Sequence, residues 1–170
     1  MHKCPGFGLV ELLKDRESII GVEIGCDEGV TTEYLLESLP QLKLYSIDPY
    51  STYIDWNGNP VHESKFSYER AMARTARFGD RFTLIKEQAD IAKVNFEDES
   101  LDFIFIDGLH TYDGVTLDCQ NYYPKMKNGS LFSGHDYNVI SVVGNAVRDF
   151  AKSVDKEILQ TEVDVWYWCK

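Results

Sequence analysis

A chain of 170 residues and 19.5 kDa sets one domain as the expectation and leaves no room for a second core of ordinary size. Its 44% hydrophobic and 26% charged residues exclude disorder, collagen-like repeats and a coiled coil, and no apolar run approaches the roughly 20 residues of a spanning helix. Seventeen basic against twenty-eight acidic residues give a net charge of −11; such a surface repels phosphate backbones and anionic lipid, so neither nucleic acid nor a membrane is the expected partner.

The start, Met1-His2-Lys3-Cys4-Pro5-Gly6, carries no apolar core behind a basic end, so no secretion signal is expected. Cys4, Cys26, Cys119 and Cys169 lie far apart and form no CxxC pair, which argues against a cysteine zinc site. A chain of this size does not need disulfides, and a reduced, cytoplasmic location is the expectation.

Residues 18–24 read as a β-rich run that enters a glycine-bearing turn directly. A helix is predicted over 31–38, with Thr31 or Thr32 near its cap, and a second strand over 42–47, closed by Asp48-Pro49. A polar, aromatic loop follows from Tyr50 to about Glu63 and contains Trp56-Asn57-Gly58-Asn59-Pro60. Residues 63–77 read as helix and 81–86 as a third strand. The most hydrophobic run, Leu101 to Ile106, is predicted to be a strand buried on both faces.

A helix over 114–123 leads to a turn at Lys127-Asn128-Gly129 and a strand at 130–133, and the last helix is predicted over 139–153. Two short runs, 157–161 and 163–168, are joined too tightly for a parallel crossover and should form a hairpin. Strands alternating with helical crossovers define an α/β fold: a Rossmann-like, doubly wound, seven-stranded and mostly parallel sheet with an antiparallel last strand. Ligands of such sheets sit beyond the carboxyl ends of the strands.

At the first strand end stands Val22-Glu23-Ile24-Gly25-Cys26-Asp27-Glu28-Gly29, whose glycines allow a tight turn and close backbone approach to a ligand. It lacks the middle glycine of GxGxxG, and its acids suit a cationic or hydroxylated group better than a pyrophosphate. The second strand ends in Asp48, about 20 residues past the turn, where a carboxylate accepts from vicinal ribose hydroxyls. The fourth and fifth strands deliver Asp107, His110, His135 and Asp136 to one rim, a donor set that suits Mg²⁺ or a similar divalent ion with a histidine base beside it.

Together these motifs resemble the class I S-adenosylmethionine-dependent methyltransferases. Ile106-Asp107-Gly108-x-His110-x-Tyr112, followed by Gly134-His135-Asp136, is similar to the branch of macrocin-type small-molecule O-methyltransferases. The resemblance spans residues 18 to 137 of what reads as a single methyltransferase domain over 1–170, with a substrate loop at 50–63. It implies S-adenosylmethionine as cofactor. Glu23, Gly25, Cys26 and Gly29 would wrap its methionine part, with Asp107 at the same site. Asp48 would hold the ribose, and Gln88 with Ala89 would flank the adenine. Asp107 and Asp136, joined by His135, would bind a divalent metal. His110 would be the base, with Asp107 its catalytic neighbour.

The implied partner is a small-molecule hydroxyl acceptor, a sugar or a phenol, and a homo-oligomer is left open. Relatives often carry an N-terminal extension, whereas about 17 residues precede the first strand here. Two alternatives stand beside this reading: a cofactor-binding module that has lost catalysis, and a nicotinamide-dependent oxidoreductase, against which Asp27 in the glycine turn weighs.

Overall fold

The computed structural model of the protein describes residues 4–55, 57–61 and 66–170. Trp56 of the expected substrate loop, and the start of the helix predicted from Glu63, lie outside the described residues. Among the described residues, no helix is long and apolar enough to cross a membrane.

Helix α1 (Gly6–Leu13) precedes strand β1 (Ile19–Ile24), helix α2 (Val30–Ser38) and strand β2 (Leu42–Ile47). Two short strands, β3 (Tyr53–Ile54) and β4 (Pro60–Val61), pair antiparallel within the segment expected to be a loop. Helix α3 (Ser67–Thr75) passes through a 3₁₀ stretch into β5 (Phe82–Ile85), and the short α4 (Ala89–Ala92) leads on towards β6 (Leu101–Ile106). Helix α5 (Tyr112–Tyr122), strand β7 (Met126–Gly134) and helix α6 (Ser141–Ser153) follow, and β8 (Leu159–Gln160) and β9 (Trp166–Cys169) come last.

Seven of these strands form one sheet in the order β5-β2-β1-β6-β7-β9-β8. The first five are parallel neighbours, and β9 runs antiparallel to both β7 and β8. The predicted hairpin therefore exists, and its second strand is the one inserted against the parallel block.

The two-residue period of β6 divides the core. Phe103 and Phe105 join Leu9, Leu13, Leu35, Leu36 and Leu44 on one face, beneath α1 and α2. Ile104 and Ile106 join Val115, Cys119, Val147, Phe150, Trp166 and Trp168 on the other, beneath α5 and α6. With Leu101 and Phe103 through Ile106 all buried, β6 is the doubly covered strand its composition predicts.

Helix α1 and the start of β7 also depart from expectation. Helix α1 escapes a pattern reading because its eight residues include two glycines, poor helix formers; the burial of Leu9 and Leu13 supplies what propensity does not. The turn predicted at Lys127-Asn128-Gly129 is absorbed into β7 as an irregularity: Leu101 pairs with Met126 but Phe103 with Leu131, and Gly129 takes φ +77°.

Candidate active site

Four strands release the chain along one line. The first residue past each still bonds to the neighbouring strand: Gly25 N–H to Ile47 O at 2.9 Å, Asp48 N–H to Ile85 O at 3.1 Å, Asp107 N–H to Ile24 O at 2.8 Å and His135 N–H to Ile106 O at 3.1 Å. Extending the ladder by one residue sets Asp48, Gly25, Asp107 and His135 side by side along the carboxyl edge of the sheet. The fold thus brings Asp48, Gly25, Asp107 and His135 to one rim, while Glu23 lies within β1 and Gln88 and Ala89 stand at the start of α4.

The turn after β1 is built by left-handed backbone at Gly25 (φ +90°), Asp27 (φ +44°) and Gly29 (φ +76°). A Cβ on Gly25 would run into the backbone carbonyl of Asp107, so this position holds the first and fourth loops in contact only as glycine. Asp48, 6% exposed, fixes the turn from the side. Its Oδ2 accepts from the N–H groups of Cys26 (3.0 Å) and Asp27 (2.9 Å), and its Oδ1 accepts from Tyr50 N–H at 2.8 Å. Tyr50 O–H then donates to Asp27 O at 2.9 Å.

Glu23 lies below the turn, 1% exposed, and accepts from Thr32 O–H at 2.5 Å and Ser46 O–H at 2.6 Å. Burial pushes its carboxyl up to about 7, against the lowering effect of those two hydroxyls. Burial likewise pushes the Cys26 thiol up to about 12, which leaves it an unreactive packing group. Gln88 caps α4, and Ala89 opens it.

On the other side of Gly25, Asp107, His110, His135 and Asp136 meet. His110 Nε2 stands 2.9 Å from Asp136 Oδ2 and 3.3 Å from Asp107 Oδ1; His135 Nδ1 stands 3.1 Å from Asp136 Oδ1 and 3.8 Å from Asp107 Oδ1. Asp107, His110 and Asp136 each offer a ligand atom within 4.8 Å of the others. Burial alone would lower His110, but its hydrogen bonds to Asp107 and Asp136 outweigh that and raise it to about 9. His135 is raised on the same balance, chiefly through Asp136. Burial pushes Asp136 up, yet the two imidazoles win and hold it well below the usual carboxylate range.

Several supporting residues carry no sequence motif. Trp166 Nε1–H donates to His135 O at 3.1 Å. Asn138, three residues past His135, is bonded through its backbone N–H and its amide to Asp164 Oδ1 at 3.2 and 2.7 Å. Thr32 and Ser46 hold Glu23, as above, and Asp118 lies buried on α5. A local signal existed only for Asp118, an acid inside the apolar stripe Val115, Cys119, Tyr122.

Residues 22–137 match the family model described as a methyltransferase domain, and the chain belongs to that family. Its sheet order is that of a class I S-adenosylmethionine-dependent methyltransferase. An uncharacterized protein of Sinorhizobium fredii, y4gI, is 32% identical over 72 residues, which are 42% of this chain and 8% of that protein. This chain therefore spans less than a tenth of the length of that curated relative. The solved O-methyltransferase NovP superposes with a TM-score of 0.73 at 14% identity, covering 97% of this chain and 77% of its own. The O-methyltransferase TomG from Streptomyces achromogenes, involved in tomaymycin synthesis and solved in complex with S-adenosylmethionine, gives 0.68 at 16% identity, covering 99% and 81%.

Proposed function

We propose that this protein transfers a methyl group from S-adenosylmethionine to a hydroxyl of a small molecule, a sugar or a phenol, with help from a divalent cation. The observation that carries the reading is the row Asp48, Gly25, Asp107, His135 along one sheet edge, which sets a cofactor turn beside a carboxylate–imidazole cluster. The residues present fit both groups. Glu23, Asp27, Asp48 and Asp107 surround the turn with acids, which favour a ligand bearing an ammonium and a sulfonium and disfavour a pyrophosphate. Two carboxylates converging with an imidazole nitrogen form a donor set for a divalent cation. The convergent trio is Asp107, His110 and Asp136; Asp107, Asp136 and the His135 beside them are the proposed ligands, which leaves His110 to act as base.

When bound, S-adenosylmethionine supplies an activated methyl group, and the cation supplies Lewis acidity at the acceptor oxygen. The chain supplies alignment and proton handling. Asp48 and Tyr50 hold the turn rigid, so that cofactor and acceptor meet in a fixed geometry. His110 is the proposed base. Paired with two carboxylates it holds a proton at neutral pH. Loss of that pairing would return it towards its ordinary range, where it gives that proton to solvent and its Nε2 can take the acceptor's proton. The proposed location is the cytoplasm, a compartment that keeps cysteines such as Cys4 and Cys169 reduced.

The test is calorimetric titration with S-adenosylhomocysteine, followed by methyl-transfer assays on a panel of sugar and phenol acceptors with Mg²⁺. Cofactor binding with transfer to a hydroxyl supports the reading. Cofactor binding with no transfer to any acceptor class would favour a non-catalytic module instead.

A further inference from the structure

Asp118 is a buried acid for which the reading above has no use. It sits on the inner face of α5, 7% exposed, in the stripe that runs through Val115, Cys119 and Tyr122. Among the described residues, no hydrogen-bond donor reaches its carboxylate; burial, and then the charge of Asp90, push it up to about 7.

Its surroundings are well defined. A Cβ built on Gly108 would stand 3.7 Å from Asp118 Oδ2, so the side chain reaches the underside of the loop that follows β6. One turn further along α5, Tyr122 O–H donates to Ala89 O at 2.8 Å, and Asn121 Oδ1 accepts from Lys93 Nζ at 2.7 Å. The same face of α5 is therefore docked on the segment that opens with Gln88 and Ala89. Asp118 lies where two loops come together, 88–90 on one side and 107–109 on the other, and Asp90 and Leu109 are exposed on their rims.

A carboxylate withdrawn from water without a donor is costly, and a ligand that brings an N–H to it relieves that cost. Adenine carries an exocyclic amine, two donors on one edge and no charge. Hypoxanthine presents a carbonyl oxygen at the same place, where it would meet the carboxylate lone pair against lone pair. We propose that Asp118 is the adenine-reading residue of the cofactor site, its carboxylate accepting a hydrogen bond from the exocyclic amine. The proposal rests on the methyltransferase reading, because that reading puts a nucleoside between these loops. Asp118 sets which base is accepted and takes no part in the chemistry at Asp107 and His110.

The experiment is calorimetric titration of the full chain with S-adenosylhomocysteine and with S-inosylhomocysteine. The wild-type protein should bind the adenine compound at least about tenfold more tightly. Asp118→Leu, which removes both acceptor oxygens at nearly constant volume, should weaken the adenine compound about 10- to 100-fold and narrow or abolish the preference. Its melting temperature without ligand should not fall, since an apolar side chain is cheaper to bury than a carboxylate. If that variant fails to fold, Asp118→Ala serves in its place, and the wild-type comparison stands by itself.

A wild-type protein that binds both compounds equally, or an Asp118→Leu variant with the wild-type preference, overturns the proposal and leaves the methyltransferase reading intact. Loss of the preference in Asp90→Leu but not in Asp118→Leu overturns it as well, by moving the role to Asp90. A wild-type protein that binds neither compound removes both readings.

Discussion

Oδ2 of Asp48 accepts a hydrogen bond from the backbone N–H of Cys26 at 3.0 Å and so ties the end of β2 to the turn after β1. The acid that the sequence marks as a ribose ligand thus also shapes the loop beside it. Asp48→Ala should therefore act twice. Removing an ionised acceptor from three backbone N–H groups should cost about 1.5–3 kcal/mol of stability. Affinity for S-adenosylhomocysteine should fall at least about tenfold. Thermal melts and calorimetry on the one variant check both; unchanged cofactor affinity with a lowered melting temperature would leave Asp48 a purely structural role.

Gly25 and Gly129 both have positive φ, but only Gly25 faces another backbone where a side chain would go. Gly129→Ala should cost about 1 kcal/mol, the strain of an alanine at positive φ. Gly25→Ala must also push Asp107 aside, and a loss of about 2–4 kcal/mol together with weakened cofactor binding is expected. Equal melting temperatures for the two variants would show that the loops after β1 and β6 separate without cost.

Chelation of divalent ions should suppress methyl transfer while S-adenosylhomocysteine still binds, because the cluster Asp107, His135, Asp136 lies on the other side of Gly25 from Asp48. Full turnover in a protein shown by elemental analysis to be free of metal would end the metal-assisted reading. His110→Ala should lower the rate by about 10²–10⁴ with cofactor affinity near wild type. A wild-type rate in that variant would transfer the base role to His135.

The same histidine predicts a pH dependence of stability. Its folded value, about 9, lies above the ordinary 6.5, so the metal-free protein binds this proton more tightly than the unfolded chain does. The stabilisation is complete below about pH 6.5 and is lost as pH rises through about 9. It amounts to about 1–3 kcal/mol, since each unit of displacement is about 1.4 kcal/mol and part of the group faces solvent. The melting temperature of metal-free protein should fall between pH 6.5 and 9, and His110→Gln should flatten that fall. An equal slope in both proteins would assign it to other groups.

What could be read from the sequence was what a local pattern encodes. β2 and β6 follow their apolar runs from end to end because both are central strands with no exposed edge to fray. The rim residues were legible because each stands one or a few positions past a strand end. Helix α1 was not, because its stability comes from leucines docked on a sheet built by residues far along the chain. Asp118 was overlooked because its spacing made it look like one more position of a core stripe, and its isolation becomes visible only once α5 is docked on α4. Nor could spacing reveal that Asp136 sits at φ +61° with His110 closed over it, since that contact joins two loops.

The place of β9 has a consequence for the order in which the molecule is made. This strand comes last in the sequence of the sheet, yet it lies inside it, between β7 and β8. Its Trp166 holds His135, and the turn that leads into it holds Asn138 through Asp164. A nascent chain that has emerged only as far as α6 already contains every rim residue but lacks the contacts of Trp166 and Asp164 to the loop after β7. The cluster therefore gains these two fastenings only once the final hairpin has joined the sheet. Burial of Trp166 and Trp168 makes indole fluorescence a reporter of that moment.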